Sequence, residues 1–312
     1  MSMTSERTLF VTGASGHLGR RVVELLLEKD AGKIVAGTRQ PGKLADLAAR
    51  GVTVRKADFE DPNGLEAALA GVDRVLIVSS DAIDRPGRRL EQHQAAVAAA
   101  VRAGVKHAVY TSMPNPETSP VVFAPDHLGT ERALKASGMS WTILRNCWYT
   151  DFLIPTLAPA VASGKLMAAT GQGGAPYVTR EDCAKAAAAA LASADTSNRT
   201  WNITGPELVT YEDLAKLASE LTGRPVTYVP VTPEDQTAQL IAAGIPEPIA
   251  KMLVSGQVAI AEGKMGLPTT AVKDLSGREP MSVREYLSAQ RTALMPATGA
   301  EQARQGRAGA HE

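Results

Sequence analysis

The residues best suited to chemistry come early in the chain, in a glycine-rich turn between an apolar run and an amphipathic stretch. Residues 8–12 predict a β-strand, and helical periodicity begins at Leu18. Glycines permit a tight turn in which backbone N–H groups approach a pyrophosphate, and the helix N-terminus adds partial positive charge. The alternative is a plain structural turn, but the glycines stand at the point of the unit where dinucleotide binding requires them. The residues predicted to bind the dinucleotide are Gly13, Ala14, Ser15, Gly16, His17, Leu18 and Gly19.

The end of the second predicted strand indicates which dinucleotide is bound. An NAD-selective protein offers an acidic residue to the ribose 2′-hydroxyl here, but the sequence reads Ala36-Gly37-Thr38-Arg39. Arg39, with Lys43 one helical turn onward, would make charge-assisted hydrogen bonds to a 2′-phosphate. The alternative is that Arg39 and Lys43 are solvated cations at the start of a helix and bind no phosphate. We therefore expect NADPH as the cofactor, with NADH as the second candidate.

Two further strand ends are expected to contact the same cofactor. Asp58 and Phe59 follow the third strand, where a carboxylate would accept a hydrogen bond from the adenine amino group and an aromatic ring would stack. Asp58 is equally suited to cap a helix N-terminus. Val78, Ser79 and Ser80 end the fourth strand and are expected to face the ribose and pyrophosphate, an ordinary serine-rich turn being the alternative.

Short β-branched runs alternate with helical stretches over residues 8–144. Strands this apolar are covered on both faces, and strands joined by helical crossovers are parallel, which predicts an α/β fold with a doubly wound parallel Rossmann sheet. Residues 1–150 are predicted to form the NAD(P)-binding Rossmann domain. Residues 151–295 are predicted to form a smaller C-terminal substrate-binding lobe, which could contribute elements back to the sheet. Residues 296–312 have no apolar periodicity and are predicted to be a disordered tail.

Composition excludes several classes of partner. Lysine plus arginine number 33, as do aspartate plus glutamate, so no broad basic field would attract nucleic acid. No apolar run reaches the roughly 18 residues of a membrane span, and no signal peptide is evident, which predicts a cytoplasmic protein with no membrane contact. Cys147 and Cys183 lack metal-site spacing, so no metal is expected. A small molecule is the expected partner.

Four segments of the sequence resemble one known family. They are Thr12-Gly13-Ala14-Ser15-Gly16-His17-Leu18-Gly19, Val78-Ser79-Ser80, Tyr110-Thr111-Ser112 and Leu144-Arg145-Asn146-Cys147-Trp148-Tyr149-Thr150-Asp151. Together they resemble the NmrA-like branch of atypical short-chain dehydrogenases/reductases, in particular the type-2 NAD(P)H:quinone oxidoreductase group, with triphenylmethane dye reductases as near relatives. The glycine loop is shared by the whole superfamily, whereas the last segment is far more specific.

The resemblance implies further site residues. Asn146 would line the cofactor, where it would bind the carboxamide or polarise a substrate oxygen. The alternative is that Asn146 is a turn residue whose side chain bonds its own backbone. Trp148 and Tyr149 would lie near the nicotinamide and the substrate, with packing between the two lobes as the alternative. Asn146 and Tyr149 are therefore candidate catalytic residues.

One departure from the wider superfamily bears on the substrate. Members that reduce ketones carry Tyr-x-x-x-Lys, with the tyrosine as proton donor, but the equivalent helix here reads His127-Leu128-Gly129-Thr130-Glu131. His127 is the remaining candidate acid because histidine titrates near neutrality, although a helix-surface position is the commoner role. A ketone yields an alkoxide that must be protonated as it forms, whereas a quinone yields a phenolate-like anion with a pKa of roughly 10. A quinone is therefore compatible with a site that lacks the tyrosine.

We accordingly expect an NAD(P)H-dependent oxidoreductase that transfers hydride to a quinone or similar conjugated electron acceptor. It is expected to use no flavin and no metal, and to be a monomer or homodimer. The alternatives are a non-catalytic NADP-sensing regulator, as in some NmrA-like proteins, and a carbonyl, imine or dye reductase.

Overall fold

The structure is a computed structural model that describes residues 7–295. The first half alternates strands and helices in the order β1 (Thr8–Val11), α1 (His17–Glu28), β2 (Lys33–Thr38), α2 (Ala45–Ala49), β3 (Thr53–Lys56), α3 (Pro62–Ala68), β4 (Arg74–Ile77), α4 (Arg88–Arg102), β5 (His107–Ser112), α5 (Ala124–Lys135) and β6 (Ser140–Asn146). The second half contains α6 (Leu153–Ser163), β7 (Lys165–Ala168), β8 (Gly174–Ala175), α7 (Arg180–Ala192), β9 (Arg199–Ile203), β10 (Val209–Thr210), α8 (Tyr211–Thr222), β11 (Thr227–Pro230), α9 (Pro233–Ala242), α10 (Glu247–Ala261), α11 (Ala271–Ser276), α12 (Val283–Ala289) and α13 (Arg291–Leu294).

The central sheet has seven strands in the order β3-β2-β1-β4-β5-β6-β9, and every neighbouring pair is parallel. The chain winds outward from β1 in one direction and then returns to continue from β4 in the other. The strand order therefore reverses between β1 and β4, and a crevice opens there beyond the strand ends. The predicted α/β fold class with a doubly wound parallel sheet is confirmed.

Alternate residues of each strand bury their side chains on opposite faces of this sheet. Phe10, Val75 and Tyr110 pack into the core beneath α3, α4 and α5. Val11 and Leu76 pack into the core on the other side, where α1 contacts α7. Because both faces are covered, the strands are apolar throughout, as the sequence pattern predicts.

The C-terminal half contributes to this sheet and also builds smaller units. Strand β9 pairs with β6, and helix α7 packs against α1, so residues beyond 150 complete the central layers. Strands β8 and β10 pair antiparallel, and β7 and β11 pair parallel, in two separate two-stranded sheets. No helix within residues 7–295 is long and apolar enough to cross a membrane. The predicted disordered tail, residues 296–312, lies outside the described residues.

Candidate active site

The turn between β1 and α1 has the geometry of a phosphate-binding loop. Gly13 adopts a left-handed backbone with φ of 59°, and the Ala14 N–H donates to the Gly37 carbonyl at 3.0 Å. Helix α1 begins at His17 after Gly16, and within the described residues no side chain caps its N-terminus and no acid stands in its first turn. The free N–H groups and the positive end of the helix dipole therefore suit an anion.

Gly19 sets the spacing between this turn and helix α1. A β-carbon at residue 19 would lie 2.5 Å from the Gly13 carbonyl oxygen and 3.0 Å from the Thr12 carbonyl oxygen. A larger residue would push the turn away from the helix. The glycine spacing noted in the sequence thus corresponds to a close backbone approach.

Arg39 and Lys43 lie just beyond the end of β2, and both are exposed. Neither forms an ion pair within the part of the chain that the structure describes. The neighbouring Thr38 hydroxyl donates to the Ser15 hydroxyl at 2.9 Å, which ties the end of β2 to the glycine loop. Arg39 and Lys43 therefore follow a strand end that contacts the loop, and their contact with a 2′-phosphate stays a prediction.

Asp58 and Phe59 follow β3 and are half-buried. The Asp58 carboxylate accepts a hydrogen bond from the Glu60 N–H at 3.1 Å, so it closes a local turn. The residue that caps α3 is Asp61, which accepts from the Gly64 N–H. The alternative assignment of Asp58 as a helix N-cap is therefore wrong. Its proposed contact with adenine stays a prediction.

The backbone after β4 is fixed by three side chains that the sequence analysis did not single out as site residues. The N–H groups of Val78, Ser79 and Ser80 donate to Thr12 Oγ1, Thr111 Oγ1 and His93 Nε2 respectively, each at 2.9 Å. Because three separate elements hold it, this segment is a rigid border of the crevice. The buried hydroxyl of Ser80 has no partner within residues 7–295.

Asn146 and Tyr149 meet at the carboxyl end of β6. The Asn146 amide nitrogen donates to the Tyr149 hydroxyl at 3.3 Å, while the buried Asn146 Oδ1 has no partner among the described residues. The Tyr149 ring stacks on Phe152, and the Arg180 guanidinium lies 5.4 Å from the Tyr149 ring centre. Burial raises the pKa of Tyr149, which therefore stays protonated at neutral pH. An unsatisfied buried acceptor such as Asn146 Oδ1 suits a ligand that offers an N–H group.

Trp148 lies between the Rossmann layers and helix α10. Its indole packs edge-on against Phe123, with ring centres 6.3 Å apart. A β-carbon on Gly256 would approach the indole to 2.9 Å, so this glycine of α10 makes room for it. The alternative role of Trp148, packing between the two halves, is thus present in the structure, and its contact with a substrate stays a prediction.

His127 is buried, with 2% of its surface exposed. The alternative interpretation, a histidine on the helix surface, is therefore wrong. Its Nε2 lies 3.0 Å from Arg89 Nη2, and its Nδ1 lies 2.8 Å from the Tyr110 hydroxyl. An arginine can only donate, so Nε2 accepts and the ring proton resides on Nδ1. Burial, with the neighbouring Arg89 charge, holds the pKa of His127 well below its usual value. The ring is therefore neutral at neutral pH.

Glu131, where the wider superfamily has its lysine, is fully buried and serves a different purpose. Its carboxylate accepts from Arg145 Nε at 2.9 Å and Nη2 at 2.7 Å, and from the Ser112 hydroxyl at 2.7 Å. This bidentate pair joins α5 to the ends of β5 and β6. Neither end of the His127-to-Glu131 motif is therefore free to act as the tyrosine-lysine pair does.

No group of three or more potential metal ligands occurs within residues 7–295. Cys147 and Cys183 are both buried free thiols, and burial raises the pKa of Cys147 to about 12. A thiol this basic is neither a ready nucleophile nor a ready metal ligand.

The fold, the glycine loop and the polar groups at the strand ends define a Rossmann-type site for a nicotinamide dinucleotide. The model of the NmrA-like family matches residues 5–287. The chain belongs to the NmrA-like family, and the predicted membership is confirmed.

The chain is similar to proteins of known type over nearly its whole length. It is 35% identical over 279 residues to quinone oxidoreductase 2 of Escherichia coli strain K12, covering 89% of this chain and 96% of that protein. The crystal structure of an Escherichia coli NADPH-dependent quinone oxidoreductase complexed with NADPH superimposes with a TM-score of 0.86 at 35% identity, covering 90% of this chain and 99% of that one. Citrobacter sp. triphenylmethane reductase complexed with NADP(H) gives a TM-score of 0.85 at 35% identity, covering 91% and 99%. The predicted class, an NAD(P)H-dependent oxidoreductase, is confirmed.

Proposed function

We propose that this protein transfers hydride from NADPH to a quinone or a similarly conjugated acceptor, without an essential side-chain acid. The observation that carries the proposal is the state of His127. It stands where the wider superfamily has its proton donor, yet its Nε2 faces an arginine and its ring is neutral. A neutral imidazole whose one proton points at Tyr110 has no proton to deliver to a substrate.

This arrangement favours acceptors whose reduced form is a weak base. Hydride addition to a quinone leaves an anion comparable to ionised tyrosine, with a pKa of roughly 10, which water can protonate. Hydride addition to a ketone leaves an alkoxide, which needs an acid in the transition state. The similarity to quinone oxidoreductase 2 supports the same substrate class.

Cofactor binding is assigned to the loop and strand ends already described. The fit rests on the uncapped N-terminus of α1 and the unsatisfied Asn146 Oδ1. The loop from Gly13 to Gly19 would hold the pyrophosphate, and Arg39 and Lys43 the 2′-phosphate. Asn146 Oδ1 would accept a hydrogen bond from the carboxamide. When bound, the cofactor supplies the hydride.

The acceptor is assigned to the space beside Trp148 and Tyr149. Tyr149 is held by Asn146 on one side and by the Arg180 and Phe152 groups on the other, so its hydroxyl has a fixed position. A hydroxyl and an indole held in place would orient a flat acceptor against the nicotinamide. Orientation of this kind is a large part of catalysis when no proton must be moved.

An acceptor panel tests the proposal. Purified protein with NADPH is given a substituted benzoquinone, a simple ketone and an imine in turn, and nicotinamide absorbance is followed. We expect steady oxidation with the quinone and little with the ketone. Oxidation with the ketone alone would indicate a carbonyl reductase, and binding of NADPH without oxidation by any acceptor would indicate an NADP-sensing regulator.

The absence of flavin, the NADPH preference, the cytoplasmic location and the monomeric or homodimeric state stay predictions.

A further inference from the structure

Arg89 is a buried arginine that forms no ion pair within the part of the chain that the structure describes. Only 8% of its surface is exposed, and its one hydrogen bond, from Nη2, goes to the neutral His127 ring. Its buried Nε has no partner within residues 7–295. Removing a charge from water without an opposite charge is costly, so such residues normally have a carboxylate partner.

The surroundings of Arg89 increase this cost. It is the second residue of α4, where the helix dipole is positive and a cation is disfavoured. The charges of Asp126 and Asp81 raise the pKa of Arg89, but within residues 7–295 neither carboxylate forms an ion pair with it. Burial lowers the pKa of Arg89, but arginine remains protonated. A cation without an ion-pair partner among the described residues is therefore held inside the protein.

Arg89 also lies on the acceptor side of the crevice. The carbon at the centre of its guanidinium is 4.9 Å from the centre of the Phe123 ring, and Phe123 packs edge-on against Trp148. The cation therefore borders the space that the proposed function assigns to the acceptor, next to the position of the missing acid.

We propose that Arg89 is a catalytic residue that binds the oxyanion formed on the acceptor, and so takes the place of a proton donor. This inference rests on the proposed function and names a residue that the sequence analysis left unassigned. The nicotinamide loses one hydride, two electrons with one proton, and the quinone gains it. The product is a hydroquinone monoanion, which takes its remaining proton from water after release. Arg89 stabilises that negative charge through N–H donors and itself transfers no proton.

The same charge sets the substrate specificity. A neutral quinone becomes an anion during the reaction and is attracted to Arg89 more strongly as it is reduced. A cationic triphenylmethane dye is repelled at the start and becomes neutral on reduction, so it gains nothing from Arg89. The protein should therefore prefer neutral or anionic acceptors to cationic dyes, although a triphenylmethane reductase is structurally similar to it.

The test uses Arg89→Met, which removes the charge and keeps much of the volume, and Arg89→Lys, which keeps a charge. The matched control is Arg102→Met, an exposed arginine at the other end of the same helix, where it pairs with Glu66. We expect Arg89→Met to lower kcat for benzoquinone on the order of 100-fold, the effect of losing one donor to an oxyanion. Arg89→Lys should be intermediate, and Arg102→Met should resemble the wild type.

Two further readouts separate a catalytic from a structural role. With the cationic dye, Arg89→Met should retain or increase kcat/KM, while its Kd for NADPH stays within about twofold. Equal losses with quinone and dye, or a matching loss of NADPH affinity, would show that Arg89 only supports the fold.

A binding experiment without turnover tests Arg89 even if no quinone is reduced. The complex with NADP⁺ is titrated with 4-nitrophenol, whose ionised form absorbs in the visible. The wild type should bind the ionised form, and Arg89→Met should not. Equal binding by both proteins would refute the role of Arg89. Failure of the wild type to oxidise NADPH with any quinone would instead refute the proposed function.

Discussion

Substitution of Gly19 by alanine tests the phosphate-binding loop most sharply. The new β-carbon would lie 2.5 Å from the Gly13 carbonyl oxygen and 2.8 Å from its carbon, and real β-carbons essentially never approach another atom closer than 3.0 Å. Both atoms belong to the backbone, so no side chain can rotate away. The loop and helix α1 must therefore separate by at least about 0.5 Å.

This displacement fixes the size of the expected effect. A hydrogen bond of about 2.9 Å between a loop N–H and a phosphate oxygen would lengthen to about 3.4 Å, beyond the normal range. Loss of one such charge-assisted bond costs about 1.5–3 kcal/mol. The Kd for NADPH should consequently rise by about 10- to 150-fold.

The assay is a fluorescence titration with NADPH, accompanied by circular dichroism to verify the fold. Gly42→Ala is the matched control, because a β-carbon on Gly42 meets nothing within 4 Å and should leave Kd unchanged. If a correctly folded Gly19→Ala protein bound NADPH as tightly as the wild type, the loop would not be the pyrophosphate site.

Three more predictions concern the cofactor, the acceptor and pH. Arg39→Ala should weaken the binding of NADPH by about 1.5–3 kcal/mol and leave the binding of NADH nearly unaffected, as measured by titration with each cofactor. Equal losses of affinity for the two cofactors would contradict the 2′-phosphate assignment. Asn146→Ala and Tyr149→Phe should lower turnover with quinone more than His127→Ala does, as measured by initial rates. If His127→Ala lost a factor of about 1,000, an acid would be essential after all. Burial, with the Arg89 charge, lowers the pKa of His93 to about 3, and the pKa of His127 is also depressed, so unfolding takes up protons below about pH 6.5. The free energy of unfolding should therefore fall by about 2 kcal/mol between pH 6.5 and pH 5 from His93 alone, and further from His127 in the same direction. A pH-independent midpoint in denaturant would contradict their burial as neutral rings.

Much of the fold follows from local sequence. The run at residues 8–11 and the turn after it have the composition of a buried strand and a phosphate loop, and the structure has both. Strand order follows from the handedness of crossovers rather than from any residue. The place of Arg199–Ile203 beside β6 is not encoded locally, because an edge strand with exposed polar residues resembles any other short strand.

The site was less predictable where it depends on packing between elements. His127 and Tyr110 stand 17 residues apart, and only the docking of α5 on β5 brings them into contact. Arg89 has a local signal in the sequence. It occupies the buried face of α4 with His93, four residues on, and with the alanines and valine that follow. A charged residue in an otherwise apolar helical stripe indicates either a buried ion pair or a ligand contact.

Direct hydride transfer to a quinone can be followed in a single turnover of the protein loaded with NADPH that is deuterated at its transferable position. The sample is first shown by its absorbance spectrum to hold no flavin, and saturating benzoquinone is then added. We expect stoichiometric loss of nicotinamide absorbance, slower with the deuterated cofactor than with the ordinary one. Absence of oxidation, or identical rates with the two cofactors, would contradict direct hydride transfer.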